Sequence, residues 1–102
     1  MPGRPYRTQR EALTFLGDEY KLKIIDGENC IYRDLGNGRD IEVSGMRSVK
    51  SKMRICNYIC VWENVTCSLE YIRADDGSGR LKTLHDLKRE LDALVEKYGG
   101  TP

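Results

Sequence analysis

The segment that follows residue 82 constrains the fold of this chain most strongly. Its large apolar side chains recur every three or four residues, at Leu84, Leu87, Leu91, Leu94 and Tyr98. Charged residues fill the positions between them, which is the pattern of an amphipathic helix. Thr83, with Asp86 three residues later, is a typical helix start, and the glycines at 99–100 are a typical stop. The sequence therefore predicts a helix of about four turns that must bury one face against another element.

Five stretches upstream have the composition and alternation of β-strands. The predicted strands cover residues 19–25, 30–35, 39–43, 55–62 and 65–71. Apolar and polar residues alternate in the first and last of them, which predicts one buried face for each: Tyr20, Leu22 and Ile24 in the first, and Val65, Cys67, Leu69 and Tyr71 in the last. The stretch 55–62 is the most apolar and predicts a central strand covered on both faces. Asn37 and Gly38 tolerate positive φ and predict a two-residue hairpin turn. Such a turn would set Tyr32 opposite Val43 and place Arg33 opposite Glu42.

A shorter helix is predicted near the N-terminus. Thr8 and Glu11 have the spacing of a capping box, and Gly17 is suited to end the helix. The element order predicts an α+β two-layer sandwich with a mainly antiparallel sheet of about five strands. The short helix and the long C-terminal helix cover that sheet. Residues 8–100 are expected to form a single domain, and residues 1–7 a flexible N-terminal arm.

The overall charge excludes one class of binding protein. The 102 residues contain 17 Lys and Arg against 16 Asp and Glu, a net charge of +1. A protein that binds polyanions through its whole-molecule charge would be far more basic. No apolar run reaches the ~18 residues of a membrane span, so no membrane partner is expected. Because no apolar segment follows the N-terminal arginines, we expect a cytoplasmic location.

Four cysteines raise the question of a metal site. Zinc ligands usually come in close pairs from turns, whereas Cys30, Cys56, Cys60 and Cys67 fall in predicted strands. Four residues along one strand separate two side chains by about 13 Å, at ~3.3 Å per residue, too far for one ion to bind both Cys56 and Cys60. The cysteines are therefore predicted to be buried apolar thiols. We expect no metal and no cofactor.

Signals for catalysis are equally weak. The single histidine, His85, lies in the first turn of the last helix without a nucleophile motif beside it. Asp75 and Asp76 lie in a Gly/Ser loop that lacks the ligand spacing of a calcium site. The segment 77–80 is too short for a phosphate-binding loop. We therefore expect that the chain is not an enzyme and has no catalytic residues.

A basic segment supports one alternative function. Arg47, Lys50, Lys52 and Arg54 occur within eight residues, and the N-terminal region adds Arg4, Arg7 and Arg10. Side chains of this kind contact the phosphates of nucleic acids. The alternative hypothesis is therefore a nucleic-acid-binding module that uses these seven residues.

The favoured hypothesis is a small non-enzymatic interaction domain that binds a protein partner. A near-neutral domain of this size without a catalytic signature commonly acts by binding another macromolecule. We expect a regulator or inhibitor of phage or mobile-element type that acts on a host protein. Glu70, Asp75 and Asp76 are the predicted contacts, since acidic groups suit a basic target. The sequence leaves open whether the chain is a monomer or a homodimer.

Overall fold

The computed structural model describes residues 7–46, 54–77 and 79–99, with the side chains of residues 7 and 8 left out. It contains two helices and five strands: α1 (Arg7–Leu16), β1 (Lys21–Ile25), β2 (Glu28–Gly36), β3 (Arg39–Ser44), β4 (Tyr58–Glu63), β5 (Cys67–Arg73) and α2 (Leu84–Tyr98). The strands form one antiparallel sheet in the order β1-β2-β3-β4-β5. Each strand thus pairs with its neighbour in the sequence, and the predicted α+β fold is confirmed.

The core lies between the sheet and the helices. Ile31, Val43, Ile59 and Ile72 stand side by side on the four strands β2 to β5 and are buried. The helices contribute Ala12 from α1 and Leu87, Leu91 and Leu94 from α2 to the same apolar cluster. Burying one such aliphatic side chain stabilises the fold by about 1.5–3 kcal/mol. We call this side of the sheet the helix face.

The ends of α2 are as predicted. The Thr83 hydroxyl accepts a hydrogen bond from the Asp86 N–H (3.1 Å), and the Asp86 carboxylate accepts one from the Thr83 N–H (3.0 Å). This reciprocal capping box satisfies two N–H groups that the helix itself cannot pair. At the other end, the Gly99 N–H donates to the Val95 carbonyl (2.7 Å). Local sequence signals therefore determine both ends of the helix.

The first helix starts earlier than predicted. It begins at Arg7, so Thr8 lies in its first turn and is not the N-cap, and Arg7 belongs to the helix instead of the arm. The C-terminal prediction is confirmed, because Gly17 has a φ of 101° and donates its N–H to the Leu13 carbonyl. That conformation suits glycine, which has no Cβ to clash with the backbone.

The predicted turn between β2 and β3 is confirmed, but the predicted register of the two strands is wrong. Asn37 and Gly38 have φ values of 55° and 78°, as the turn requires. A β-bulge lies between Asp34 and Gly36, so Tyr32 lies opposite Glu42 instead of Val43. The bulge is stabilised because the Gly36 N–H donates to the Asp34 carboxylate at 2.8 Å.

This bulge decides which side chains share a face. A one-residue shift of register changes which residue of β3 lies opposite each residue of β2. Arg33 now lies opposite Ile41 instead of Glu42, and Asp34 lies opposite Asp40. The repulsion expected between the two aspartates is limited because Asp34 is exposed, while the Tyr32 hydroxyl donates to Asp40 at 2.9 Å. The bulge thereby moves Glu42 next to Tyr32.

The last two strands also differ from the prediction. β4 starts at Tyr58 and occupies the fourth position in the sheet, although Ile59, Cys60 and Val61 are all buried as expected of a strand covered on both faces. A second irregularity, opposite Val61 and Trp62, changes the alternation in β5. Ile72 consequently faces the helices, whereas Tyr71 is 52% exposed on the other side.

The apolar faces predicted for two strands are therefore partly wrong. Val65 lies in the turn before β5 and is exposed, and Cys67 is exposed as well. Ile24 was predicted to share the buried face of its strand, but it is 59% exposed. It belongs to β1, which is an edge strand with a neighbour on one side alone, so less of its surface is covered.

Candidate functional site

The side of the sheet opposite the helices carries an unusual group of side chains. Alternate positions of β2 to β5 place the following residues on it: Tyr32, Asp40, Glu42, Tyr58, Cys60, Trp62 and Tyr71. We call this surface the open face, since within the described ranges no helix packs on it. Its centre is the row in which Tyr32, Glu42, Cys60 and Tyr71 pair across four strands.

A buried carboxylate lies at the centre of the open face. Glu42 is only 5% exposed. Its Oε2 accepts a hydrogen bond from the Tyr58 hydroxyl (3.1 Å), and its Oε1 accepts one from the Trp62 indole N–H (2.9 Å). The Cys30 thiol approaches Oε2 at 3.8 Å. These donors replace the water that burial removes, which is what allows a carboxylate to remain inside a protein.

A second carboxylate is only half satisfied. Asp40 Oδ2 accepts a hydrogen bond from the Tyr32 hydroxyl at 2.9 Å. Its Oδ1 is buried and has no hydrogen-bond partner in the part of the chain that the structure describes. A buried acceptor without a donor costs about 1–3 kcal/mol, so a donor that reached Oδ1 would remove this cost.

The tyrosines that donate to these carboxylates stay protonated. Burial, reinforced by Asp40, raises the pKa of Tyr32 to about 12. Burial also raises the pKa of Tyr58 to about 12, with the nearby Glu42 adding to the effect. Both hydroxyls therefore remain neutral hydrogen-bond donors across the physiological pH range.

These side chains line a cleft of about 410 Å³. Its walls include the rings of Tyr32, Tyr58 and Trp62, and the carboxylates of Asp40 and Glu42 reach the same space. The volume falls within the range of about 300–1,000 Å³ that is typical of sites for small molecules. An aromatic cleft with carboxylates is chemically suited to a cation.

The rim of the cleft already holds one cation. The Lys23 ammonium lies 4.2 Å from the centroid of the Tyr32 ring, and the Lys21 ammonium lies 5.7 Å from it. Both distances fall within the ~6 Å range of cation–π attraction. A face of Tyr32 is therefore accessible to positive charge, and Lys23 is the nearer of the two lysines.

The opposite rim is a strained turn. Asn64 and Val65 have φ values of 51° and 69°, and a β-branched residue such as valine rarely adopts this conformation. Strain of this kind costs about 1–3 kcal/mol and is found where surrounding contacts hold the backbone in place. One such contact is the hydrogen bond from the Asn64 N–H to the Gly38 carbonyl (2.7 Å). It joins this turn to the β2–β3 turn and presents Val65, 78% exposed, at the cleft.

Glu70, one of the predicted acidic contacts, is paired within its own chain. Glu70 lies on the helix face, where it accepts hydrogen bonds from the Tyr98 hydroxyl (2.8 Å) and the Lys97 ammonium (3.0 Å). The hydrogen bonds from Tyr98 and Lys97 lower the pKa of Glu70.

The two aspartates that follow β5 are also paired within the chain. Asp75 accepts two hydrogen bonds from Arg73 at 3.0 Å each, and Asp76 pairs with Arg80. Each of the three predicted acidic contacts thus has a basic partner in its own chain. Their role in binding a partner stays a prediction.

The basic residues of the alternative hypothesis are only partly described. Arg4, Arg47, Lys50 and Lys52 lie outside the described residues, as does the side chain of Arg7. Arg54 donates to the Asn57 side chain (3.2 Å) and lines a small cleft near Tyr58 and Tyr71. Arg10 lies on α1 and lines a different cleft, beside Phe15. The described arginines therefore do not share one surface.

Three of the four thiols are buried as predicted. The prediction is wrong for Cys67, which is exposed, while Cys30, Cys56 and Cys60 are buried and all four are free. Burial raises the pKa of Cys56 to about 12 and that of Cys30 to about 11, so both thiols are protonated at neutral pH. Protonated thiols are poor nucleophiles.

The remaining candidates for chemistry lie away from the open face. His85 is exposed, and its ring packs edge-on against Phe15 with 4.9 Å between the centroids, so it joins the two helices. Among residues 7–46, 54–77 and 79–99, no three side chains of His, Cys, Asp or Glu gather closely enough to hold a metal ion.

Sequence reasoning did not identify Tyr32, Asp40, Glu42 and Trp62 as a site. One signal was present, since Asp40 and Glu42, like Tyr58 and Trp62, are two residues apart and so share one side of a strand. The predicted register, however, placed Glu42 opposite Arg33, whereas it lies opposite Tyr32. Alternation within a single strand does not report the bulge that changes this register.

Comparison of the chain with protein-family models, with curated proteins and with solved structures finds no match. In the portion that the structure describes, neither helix combines the length and apolarity needed to cross a membrane. The function must therefore be argued from the geometry of the open face.

Proposed function

We propose that the chain is a non-enzymatic interaction domain that binds a protein partner with its open face. One observation carries this proposal. Three of the six tyrosines and the single tryptophan lie on a sheet surface that no described helix covers. Tyrosine and tryptophan are enriched in protein interfaces, where their large rings bury much apolar area and their polar tips form hydrogen bonds.

The aromatic side chains are already arranged for contact. Tyr58 and Tyr71 stack with 4.8 Å between their centroids, and Tyr58 and Trp62 are held by hydrogen bonds to Glu42. Side chains ordered before binding lose little conformational entropy when a partner arrives. This preorganisation of the aromatic side chains supports a binding role for the open face.

The charges favour a partner with a basic segment. Asp40 and Glu42 contribute two carboxylates at the middle of the open face, while cations such as Lys23 and Arg73 stand at its sides. A partner whose basic group meets the centre would be electrostatically complementary. The same carboxylates would repel the phosphates of a nucleic acid placed there.

Site-specific photo-crosslinking tests the proposal. A benzophenone amino acid replaces Tyr71 on the open face or, as the matched control, Glu96 on the exposed side of α2. We expect one protein from the cells that express the chain to be crosslinked from position 71 and not from position 96. After purification, that protein should form a complex of fixed stoichiometry with the unmodified chain.

Two outcomes would contradict the proposal. Crosslinking from position 96 alone would place the interface on the helices, and the absence of any stoichiometric complex would remove protein binding. DNA or RNA binding that falls steeply with salt, and is lost when Arg47, Lys50, Lys52 and Arg54 are replaced by glutamine, would support the nucleic-acid alternative instead.

A further inference from the structure

We infer that the cleft on the open face binds the ammonium group of a lysine side chain from the partner, an inference that rests on the proposed function. The cleft combines the rings of Tyr32, Tyr58 and Trp62 with the carboxylates of Asp40 and Glu42. Aromatic faces attract cations electrostatically, and a carboxylate nearby adds a charged hydrogen-bond acceptor.

The protein itself shows that an ammonium can occupy this position. Lys23 holds its own ammonium 4.2 Å from the centroid of the Tyr32 ring. It belongs to the edge strand β1 and lines the cleft. An incoming lysine would find the same ring, with the carboxylates of Asp40 and Glu42 closer to the centre of the sheet.

The hydrogen-bonding state of the carboxylates selects lysine over arginine. Both oxygens of Glu42 already accept hydrogen bonds, from Tyr58 and Trp62. On Asp40, Oδ2 is taken by Tyr32, and Oδ1 is the buried oxygen that lacks a donor. A guanidinium binds best to two free oxygens side by side, whereas an ammonium is a compact charge that can use a single acceptor.

The rim suits the aliphatic part of a lysine. Val65 is 78% exposed at the mouth of the cleft. Lysine buries its four-carbon stem along apolar surface while its charged end reaches a polar site. The exposed Val65 side chain thus acquires a role in the same contact.

Lys23 would compete with the incoming lysine for Tyr32. Replacing it by methionine removes the charge and keeps a long side chain, so we expect binding to tighten. A cation–π contact at an exposed site contributes about 0.5–1 kcal/mol, which corresponds to a gain of about two- to five-fold. Lys21→Met is the matched control on the same strand, and its longer distance of 5.7 Å predicts a smaller change.

The direct test uses nuclear magnetic resonance and the indole N–H of Trp62, which is the only tryptophan of the chain. N-acetyl-lysinamide is titrated into the protein, with N-acetyl-norleucinamide as the uncharged control and N-acetyl-argininamide as the alternative cation. We expect a saturable shift of the Trp62 signal with the lysine derivative, a weaker response to arginine and none to norleucine. Equal responses to all three probes, or a stronger response to arginine, would overturn the inference.

Two variants locate the ammonium. Asp40→Asn should weaken lysine binding by about ten-fold or more, because a hydrogen bond to a charged group contributes about 1.5–3 kcal/mol. If this variant does not fold, Lys23→Met still tests the site, since it leaves both carboxylates in place. Unchanged binding in the folded Asp40→Asn variant, or no tightening in Lys23→Met, would contradict the inference.

The two proposals can fail separately. A partner crosslinked from position 71 whose affinity is unaffected by Asp40→Asn would leave the interaction function standing and remove the lysine site. Conversely, a lysine response in the cleft without any stoichiometric protein complex would remove the proposed function.

Discussion

Both faces of the sheet contain buried side chains, but these are shielded from water by different groups. On the helix face, Ile41 and Val61 are excluded from water by aliphatic side chains of the helices. On the open face, Cys60 is 1% exposed and Glu42 is 5% exposed although no described helix covers them. There the aromatic rings and their hydrogen bonds close the surface. A sheet can therefore bury polar groups beneath its own aromatic side chains, without a helix above them.

Thiol reactivity gives the largest expected difference within the molecule. Cys67 is exposed and should react quickly with DTNB, whereas Cys30, Cys56 and Cys60 are buried. Their modification requires local or global opening of the fold, so we expect rates slower by at least about 10³-fold. Absorbance should show one rapid equivalent in native protein, and the remaining three should follow in denaturant.

The thiols also test whether the open face is sealed. Cys67→Ser should abolish the rapid phase. Rapid modification of Cys30 or Cys60, with Cys56 still protected, would show that aromatic side chains close their face less well than helices close the other.

Truncating one core leucine should destabilise the fold strongly. Leu91 on α2 is fully buried, and Leu91→Ala should lower the free energy of unfolding by about 2–5 kcal/mol through lost burial and a residual cavity. On the opposite face, Tyr71→Ala should cost less than about 1 kcal/mol, because Tyr71 is 52% exposed. Urea denaturation measures both values, and equal losses would contradict the distinction between the two faces.

Neutralising the central carboxylate should have an intermediate effect. In Glu42→Gln, the amide nitrogen replaces one acceptor, so either Tyr58 or Trp62 loses its partner. We expect a loss of about 1–3 kcal/mol in the free energy of unfolding. Glu96→Gln on the exposed side of α2 is the control, with a change within about 0.5 kcal/mol. The same small change in both variants would mean that the network on the open face adds no stability.

High pH should weaken the open face gradually. Burial, together with Asp40, raises the pKa of Tyr32 from 10.0 to about 12. A raised pKa contributes stability that is complete below the unfolded value and is lost as the pH rises to the folded value. The free energy of unfolding should therefore fall between pH 10 and pH 12, and Tyr32→Phe should reduce the slope. Below pH 10 the difference between the two proteins should be constant, and an unchanged alkaline slope in Tyr32→Phe would contradict this role.

The success of the sequence analysis follows the range of each interaction. The capping box of Thr83 and Asp86 and the turn at Asn37 and Gly38 were predicted correctly because neighbouring residues determine them. The positions of the bulges in β2 and β5 were missed. A bulge depends on how two strands and the layers above them fit together, and alternation within one strand does not report it.

The candidate site was missed for the same reason. Its carboxylates and rings come from three different strands, and the predicted register put Glu42 opposite the wrong residue. The sequence instead predicted loop residues Asp75 and Asp76 as contacts, and these are paired with Arg73 and Arg80. Both ion pairs are local, between residues two and four positions apart in the sequence.

Local spacing predicts the element types, the ends of the last helix and its apolar stripe, in which Leu87, Leu91 and Leu94 are buried. These features depend on backbone preferences and on the exclusion of apolar groups from water, both of which can be read from local spacing. By contrast, strand pairing across the sheet is what places Tyr32, Glu42 and Trp62 together on its uncovered side. Their meeting depends on the strand register, which a bulge of one residue changes and which only the packed sheet sets.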